Sequence, residues 1–127
     1  MPASIDLQRI VPILRIFSVE KAKEFYTDFL GFEVDWEHRF EDNLPLYLQV
    51  SRGSVLLHLS EHHGDGSPGS ALRIETRGLD ELHREISAKQ YRFARPGIED
   101  APWGERYVRV FDPFGNKLTF AERKVGP

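Results

Sequence analysis

Five histidines, two tryptophans and no cysteine set the chemistry open to this chain of 127 residues. Without cysteine there is no thiolate nucleophile, no thiolate metal ligand and no disulfide. Glu61, His62 and His63 have the right donor atoms for a cation. Three consecutive residues in a glycine-rich loop do not readily converge on one ion, because ligand geometry is demanding, so they read as a solvated loop. His38 and His83 have no partner at ligand spacing. His58 is either a hydrogen-bonding residue of a groove or a packed imidazole, and needs a polar partner in both cases. No serine, histidine and acid share a spacing that assigns a nucleophile and its base. Trp36 and Trp103 offer broad faces for stacking. The chemistry on offer is recognition by aromatic faces and polar edges.

Those residues need elements to carry them. Ile10 to Phe17 is apolar and β-branched, which predicts a strand, with Pro12 marking an edge or bulge. Ser18 is positioned to cap a helix over about Val19 to Leu30, and Gly31 ends it. In Phe32 to Arg39, alternation sets Phe32, Val34, Trp36 and His38 against Glu33, Asp35 and Glu37. Leu44 to Val50 and Ser54 to Ser60 read as a hairpin closed by Ser51-Arg52-Gly53.

After the polar hinge His62 to Gly69 the order restarts: Leu72-Arg73-Ile74 repeats Leu14-Arg15-Ile16, and a helix over about Leu79 to Lys89 follows. Strands near Tyr91 to Arg95, Arg106 to Phe111 and Lys117 to Glu122 complete the second half. The expectation is an α+β fold in one domain over 1–127. Two βαβββ modules, about 10–61 and 70–123, form a curved incomplete barrel with helices outside. Alternation turns Val55, Leu57, Leu59, Leu118 and Phe120 toward the helices and Leu56, His58 and Thr119 toward the groove.

The balance of 17 basic against 20 acidic side chains, a net charge of -3, argues against nucleic acid as the partner. No apolar run reaches membrane-spanning length and no signal-peptide pattern is evident, so a cytoplasmic location without membrane association is expected.

Several motifs are similar to those of a known family. They are Leu14-Arg15-Ile16 leading into Glu24-Phe25-Tyr26, then Phe29-Leu30-Gly31-Phe32, Pro102-Trp103-Gly104 with Arg106, and the turn Asp112-Pro113-Phe114-Gly115-Asn116. Over about Ile10 to Glu122 the chain resembles the glyoxalase/bleomycin resistance/dioxygenase (vicinal oxygen chelate) superfamily. Within it the resemblance is greatest to bleomycin resistance proteins. Metal-dependent members of the superfamily imply ligand positions near Val11, His58, Ser70 and Thr119, of which only His58 is a good ligand, so no metal or other cofactor is expected.

The resemblance instead implies a homodimer with an exchanged N-terminal strand hinged at Pro12. A small molecule would be trapped in a groove between subunits and left unaltered, as in antibiotic resistance by sequestration. Trp36, Phe40, Tyr47, His58, Trp103 and Arg106 form the expected ligand-binding set, with no catalytic residue. Arg39, Arg73, Arg106 and Arg109 would make parts of the groove positive, which points to a planar or amphipathic compound, an anionic one among the candidates. The alternatives are a metal-dependent glyoxalase-like lyase, isomerase or dioxygenase, and a module that signals to another protein.

Overall fold

In the computed structural model, which describes residues 4–39 and 41–124, the Ser18 hydroxyl accepts from the Lys21 N–H at 3.1 Å and starts helix α1 (Val19–Lys23). The helix widens into a π-helical segment over Glu24–Phe29. Its looser turn lets adjacent Phe25 and Tyr26 both enter the core beside Phe29 and Leu30. Gly31, at φ +74°, ends the run, as expected. A side chain there would be strained, and its Cβ would lie 2.9 Å from the Arg52 guanidinium.

Around this helix β1 (Ile13–Arg15), β2 (Glu33–His38), β3 (Tyr47–Arg52) and β4 (Val55–Ser60) form a sheet in the order β1-β4-β3-β2. Strand β1 runs parallel to β4, and β4 and β2 are antiparallel to β3. The second half repeats the design. Strands β5 (Ala71–Glu75), β6 (Glu99–Ala101), β7 (Glu105–Phe111) and β8 (Lys117–Arg123) stand in the order β5-β8-β7-β6, and helix α2 spans Leu79–Ala88. The repeated tripeptides are equivalent, since Leu14 pairs with Leu59 as Leu72 pairs with Leu118. The expected βαβββ repeat and its open sheets are therefore observed.

Three details differ from the sequence reading. The first strand is only three residues long, because Pro12 lacks the N–H needed to extend the ladder. Tyr91 to Arg95 is not a strand: Tyr91 packs instead on Phe29, with ring centroids 4.7 Å apart, and the strand forms later at Glu99–Ala101. In β2 a bulge falls between Val34 and Trp36, so Val34 pairs with buried Val50 while Trp36 pairs with Gln49. The extra residue reverses the alternation, and Val34 and Trp36 do not share a face.

Both sheets turn one face to a shared apolar core that includes Leu14, Phe25, Tyr26, Leu48, Leu57 and Leu59 from the first half and Leu79, Ile86, Val108, Leu118 and Phe120 from the second. Polar clamps fix the halves together. Tyr26 donates to the buried Asp112 carboxylate at 2.6 Å, and Asp112 also accepts from the backbone N–H of Phe114 and Asn116 and from the Asn116 amide. Asn116 reaches back to the Arg15 carbonyl at 3.1 Å. The Asp112-to-Asn116 turn is thus a joint between modules. Arg52 makes a two-pronged pair with Glu85 at 2.7 and 2.9 Å, and Lys89 donates to the Phe29 carbonyl.

Candidate functional site

With one face of each sheet spent on the core, the opposite faces remain open. Strand register aligns Ile13, His58, Gln49 and Trp36 in one row across the first sheet. The row carries an aromatic cluster. Trp36 lies parallel to Tyr47, with centroids 6.0 Å apart and 9° between planes, and His58 meets both rings edge-on at 5.3 and 5.2 Å. Trp36 stays 42% exposed, so one indole face is presented to solvent.

A hydrogen-bond chain fixes the cluster. Tyr47 Oη lies 2.7 Å from His58 Nδ1, and His58 Nε2 lies 2.9 Å from Gln49 Oε1. The Gln49 amide donates to Asp35 at 3.0 Å, and Ser51 donates to the other Asp35 oxygen. The Gln49 oxygen can only accept, so His58 carries its proton on Nε2, and Nδ1 accepts from Tyr47. The imidazole is neutral in this arrangement. Burial pushes its pKa below the ordinary histidine value, consistent with that state. Burial, followed by the negative charge of Asp65, raises the Tyr47 phenol and keeps it protonated. Both nitrogens of His58 are occupied within the sheet, so the hydrogen-bond chain holds the flat rings in a fixed orientation.

The second sheet presents a different face. Arg73, Thr119 and Arg109 form one row. Arg73 grips Glu105 at 2.9 and 2.6 Å, and the Trp103 indole N–H also donates to Glu105. Arg73 first and Trp103 second pull the Glu105 carboxyl down to about 2. Trp103 stands at the β6–β7 turn, 73% exposed. Arg109 donates to Thr119 at 3.0 Å and lies 4.8 Å from the Tyr107 ring centre.

The structure therefore brings Trp36, Tyr47 and His58 together and leaves Trp103 on the other sheet. Arg106 is one residue out of phase with that open face. It sits on the helix side, bonded to Asp80 of α2 at 3.1 and 3.0 Å and to Glu122 at 3.1 Å. Phe40 lies outside the described residues. The sequence reading passed over Gln49, Asp35 and Ser51, although the alternation of Tyr47, Gln49 and Ser51 with Leu48 and Val50 already put three polar side chains on one face.

A family model for glyoxalase superfamily proteins matches residues 2–127. The chain belongs to that superfamily. As a superfamily member it is 28% identical to a bleomycin resistance protein of Geobacillus stearothermophilus, over 89% of this chain and 95% of that one. It is also 28% identical to the bleomycin-binding protein of Streptomyces verticillus, solved with copper(II)-bleomycin. That match has a TM-score of 0.65 and covers 98% of this chain and 100% of the other. A glyoxalase-related enzyme from Clostridium phytofermentans shares the fold at 17% identity and TM-score 0.71, covering 96% and 99%.

The positions that the superfamily resemblance assigns to a metal do not fit one here. Val11 has no donor atom, and His58 spends both nitrogens within the sheet. The Ser70 hydroxyl donates to the Ser67 carbonyl, and Thr119 accepts from Arg109. Among the described residues no three histidine, aspartate or glutamate side chains are grouped to hold an ion.

Proposed function

We propose that this superfamily member is a non-catalytic small-molecule binding protein of the bleomycin-resistance type. It sequesters an aromatic or amphipathic compound in a groove between two copies of the chain. The observation that carries this reading is the Trp36–Tyr47–His58 cluster, a preoriented stacking surface whose imidazole has both nitrogens hydrogen-bonded within the sheet. The bleomycin resistance relative and the bleomycin-bound relative support it. In the assembly, the first sheet's aromatic face opposes the second sheet of the partner, where Trp103 would close over the ligand.

The N-terminal segment supports a paired state. Ile5, Leu7 and Ile10 are 88%, 92% and 92% exposed, an expensive arrangement for three large apolar side chains near one another in sequence. Strand β1 pairs with His58 to Ser60 and goes no further, so Leu56, paired with Ser51 of β3 on one side, has no β1 residue paired with it on the other. An arm from a second copy, hinged at Pro12, would bury the former and pair the latter.

Trp36 and Trp103 are the chain's two tryptophans, so Trp36→Phe and Trp103→Phe give single-tryptophan proteins that report on each face separately. Titration with bleomycin as the probe should quench both reporters saturably, and light scattering should give a dimer. A monomer, or a response from one face alone, would overturn the composite groove.

A further inference from the structure

Away from both open faces, the seam between modules holds a second concavity. Phe17 after β1, Phe25 in the π-helical segment, Tyr91 and Phe93 after α2, and Phe111 and Phe114 at the end of β7 line a cavity of about 580 Å³. That volume lies in the roughly 300–1,000 Å³ range of small-ligand sites. Phe17, Phe93 and Phe111 are 56%, 62% and 59% exposed, so three rings that would gain by burial surround one opening. They are held in place by others: Phe17 against Phe114 at 6.1 Å, Phe93 edge-on to Tyr91 at 5.5 Å, and Tyr91 against Phe25 at 6.3 Å.

Three cations stand against these rings, Lys21 in the cavity lining and Arg15 and Arg92 outside it. The Arg15 guanidinium lies 4.5 Å from the Phe17 ring centre, Lys21 Nζ 5.7 Å from that of Phe93, and the Arg92 guanidinium 5.2 Å from the same ring. Two carboxylates stand nearby. Asp112 is in the cavity lining, but it is buried and spends its oxygens on Tyr26, Phe114 and Asn116. Glu24 accepts from the Tyr91 hydroxyl and lies 3.9 Å from Lys21, outside the cavity lining. Apolar walls and a cationic edge favour a flat molecule with an anionic group at its rim.

We propose that this seam pocket is a second ligand site, taking a small planar aromatic anion such as an aryl carboxylate or sulfonate. Rings stack within the cavity, and the anionic group sits toward Lys21 and Arg92. The site needs no second copy of the chain, so it stands or falls apart from the groove.

The test uses the full chain and two fluorescent probes, 8-anilinonaphthalene-1-sulfonate and its uncharged relative N-phenyl-1-naphthylamine. The wild type should bind the sulfonate at one saturable site per chain, with proton chemical shifts changing at the rings of Phe17, Phe93, Phe111 and Phe114. The charge reversal K21E/R92E, which leaves every ring in place, should weaken sulfonate binding about tenfold and the uncharged probe by less than about threefold. The pair F93A/F111A should weaken both probes, and Trp36→Ala should leave the shifts at Phe17, Phe93, Phe111 and Phe114 in place. Loss of those shifts in Trp36→Ala, shifts confined to the sheet faces, or no saturable uptake by the wild type would overturn the proposal. Should F93A/F111A fail to fold, the shift map and the charge reversal still decide.

Discussion

Replacing Trp36 with alanine isolates what the stacking face contributes. The indole is 42% exposed, and with about 250 Å² of surface on a tryptophan side chain roughly 100 Å² is open to a ligand. At about 25 cal/mol per Å², covering that area contributes about 2.5 kcal/mol. The expected loss of affinity for bleomycin is therefore about 70-fold. Trp36→Phe keeps a smaller ring on Tyr47 and should recover part of it. Stability should change less, because the residue packs on the half-buried rings of Tyr47 and His58 rather than filling the core; losing such a pair costs about 0.5–1.5 kcal/mol. Calorimetric titration gives the affinity and a thermal melt gives the stability. A folded Trp36→Ala protein that binds within about threefold of wild type would refute the stacking argument.

Three further outcomes follow from the same geometry. Burial holds the folded pKa of His58 below its ordinary 6.5, so folding favours the neutral ring. Stability should be insensitive to His58 above about pH 6.5 and decline below it, whereas His58→Asn should flatten that limb in pH-dependent melts. Tyr26→Phe removes a buried donor to the Asp112 carboxylate and should cost about 2 kcal/mol in urea unfolding. A loss under about 0.5 kcal/mol would mean the clamp is dispensable. Replacing Ile5, Leu7 and Ile10 together with serine should shift the dimer toward monomer in sedimentation at micromolar concentration while leaving the far-ultraviolet circular dichroism intact; an unchanged dimer would remove the arm from the interface.

Much of this architecture was legible because local signals agreed with one another. The cap at Ser18, the stop at Gly31 and the repeated Leu-Arg-Ile tripeptide each have a local physical cause, and each reappears in the fold. The bulge in β2 was not legible: alternating residues look the same whether or not one is inserted, and only the pairing with Val50 and Gln49 reveals it. Tyr91 to Arg95 misled for a related reason, since aromatic residues that pack on a neighbouring helix resemble those of a strand. At the candidate site, alternation put His58 on the open face, whereas Tyr47 entered with the family resemblance. Arg106 entered through family resemblance, yet it stands opposite Glu122, one residue past Ala121, on the helix side. The links from His58 to Gln49 and from Gln49 to Asp35 join three strands, and such pairing needs the register that folding supplies.

The central claim is that the protein binds its ligand and leaves it chemically unchanged. The direct measurement is calorimetric titration with bleomycin and a panel of planar aromatic antibiotics, followed by release of each bound compound and determination of its mass. The account predicts saturable binding of at least one compound, abolished or greatly weakened in Trp36→Ala, with the released ligand identical in mass to what was added. Failure of every compound to bind, or recovery of a ligand altered in mass, would contradict it.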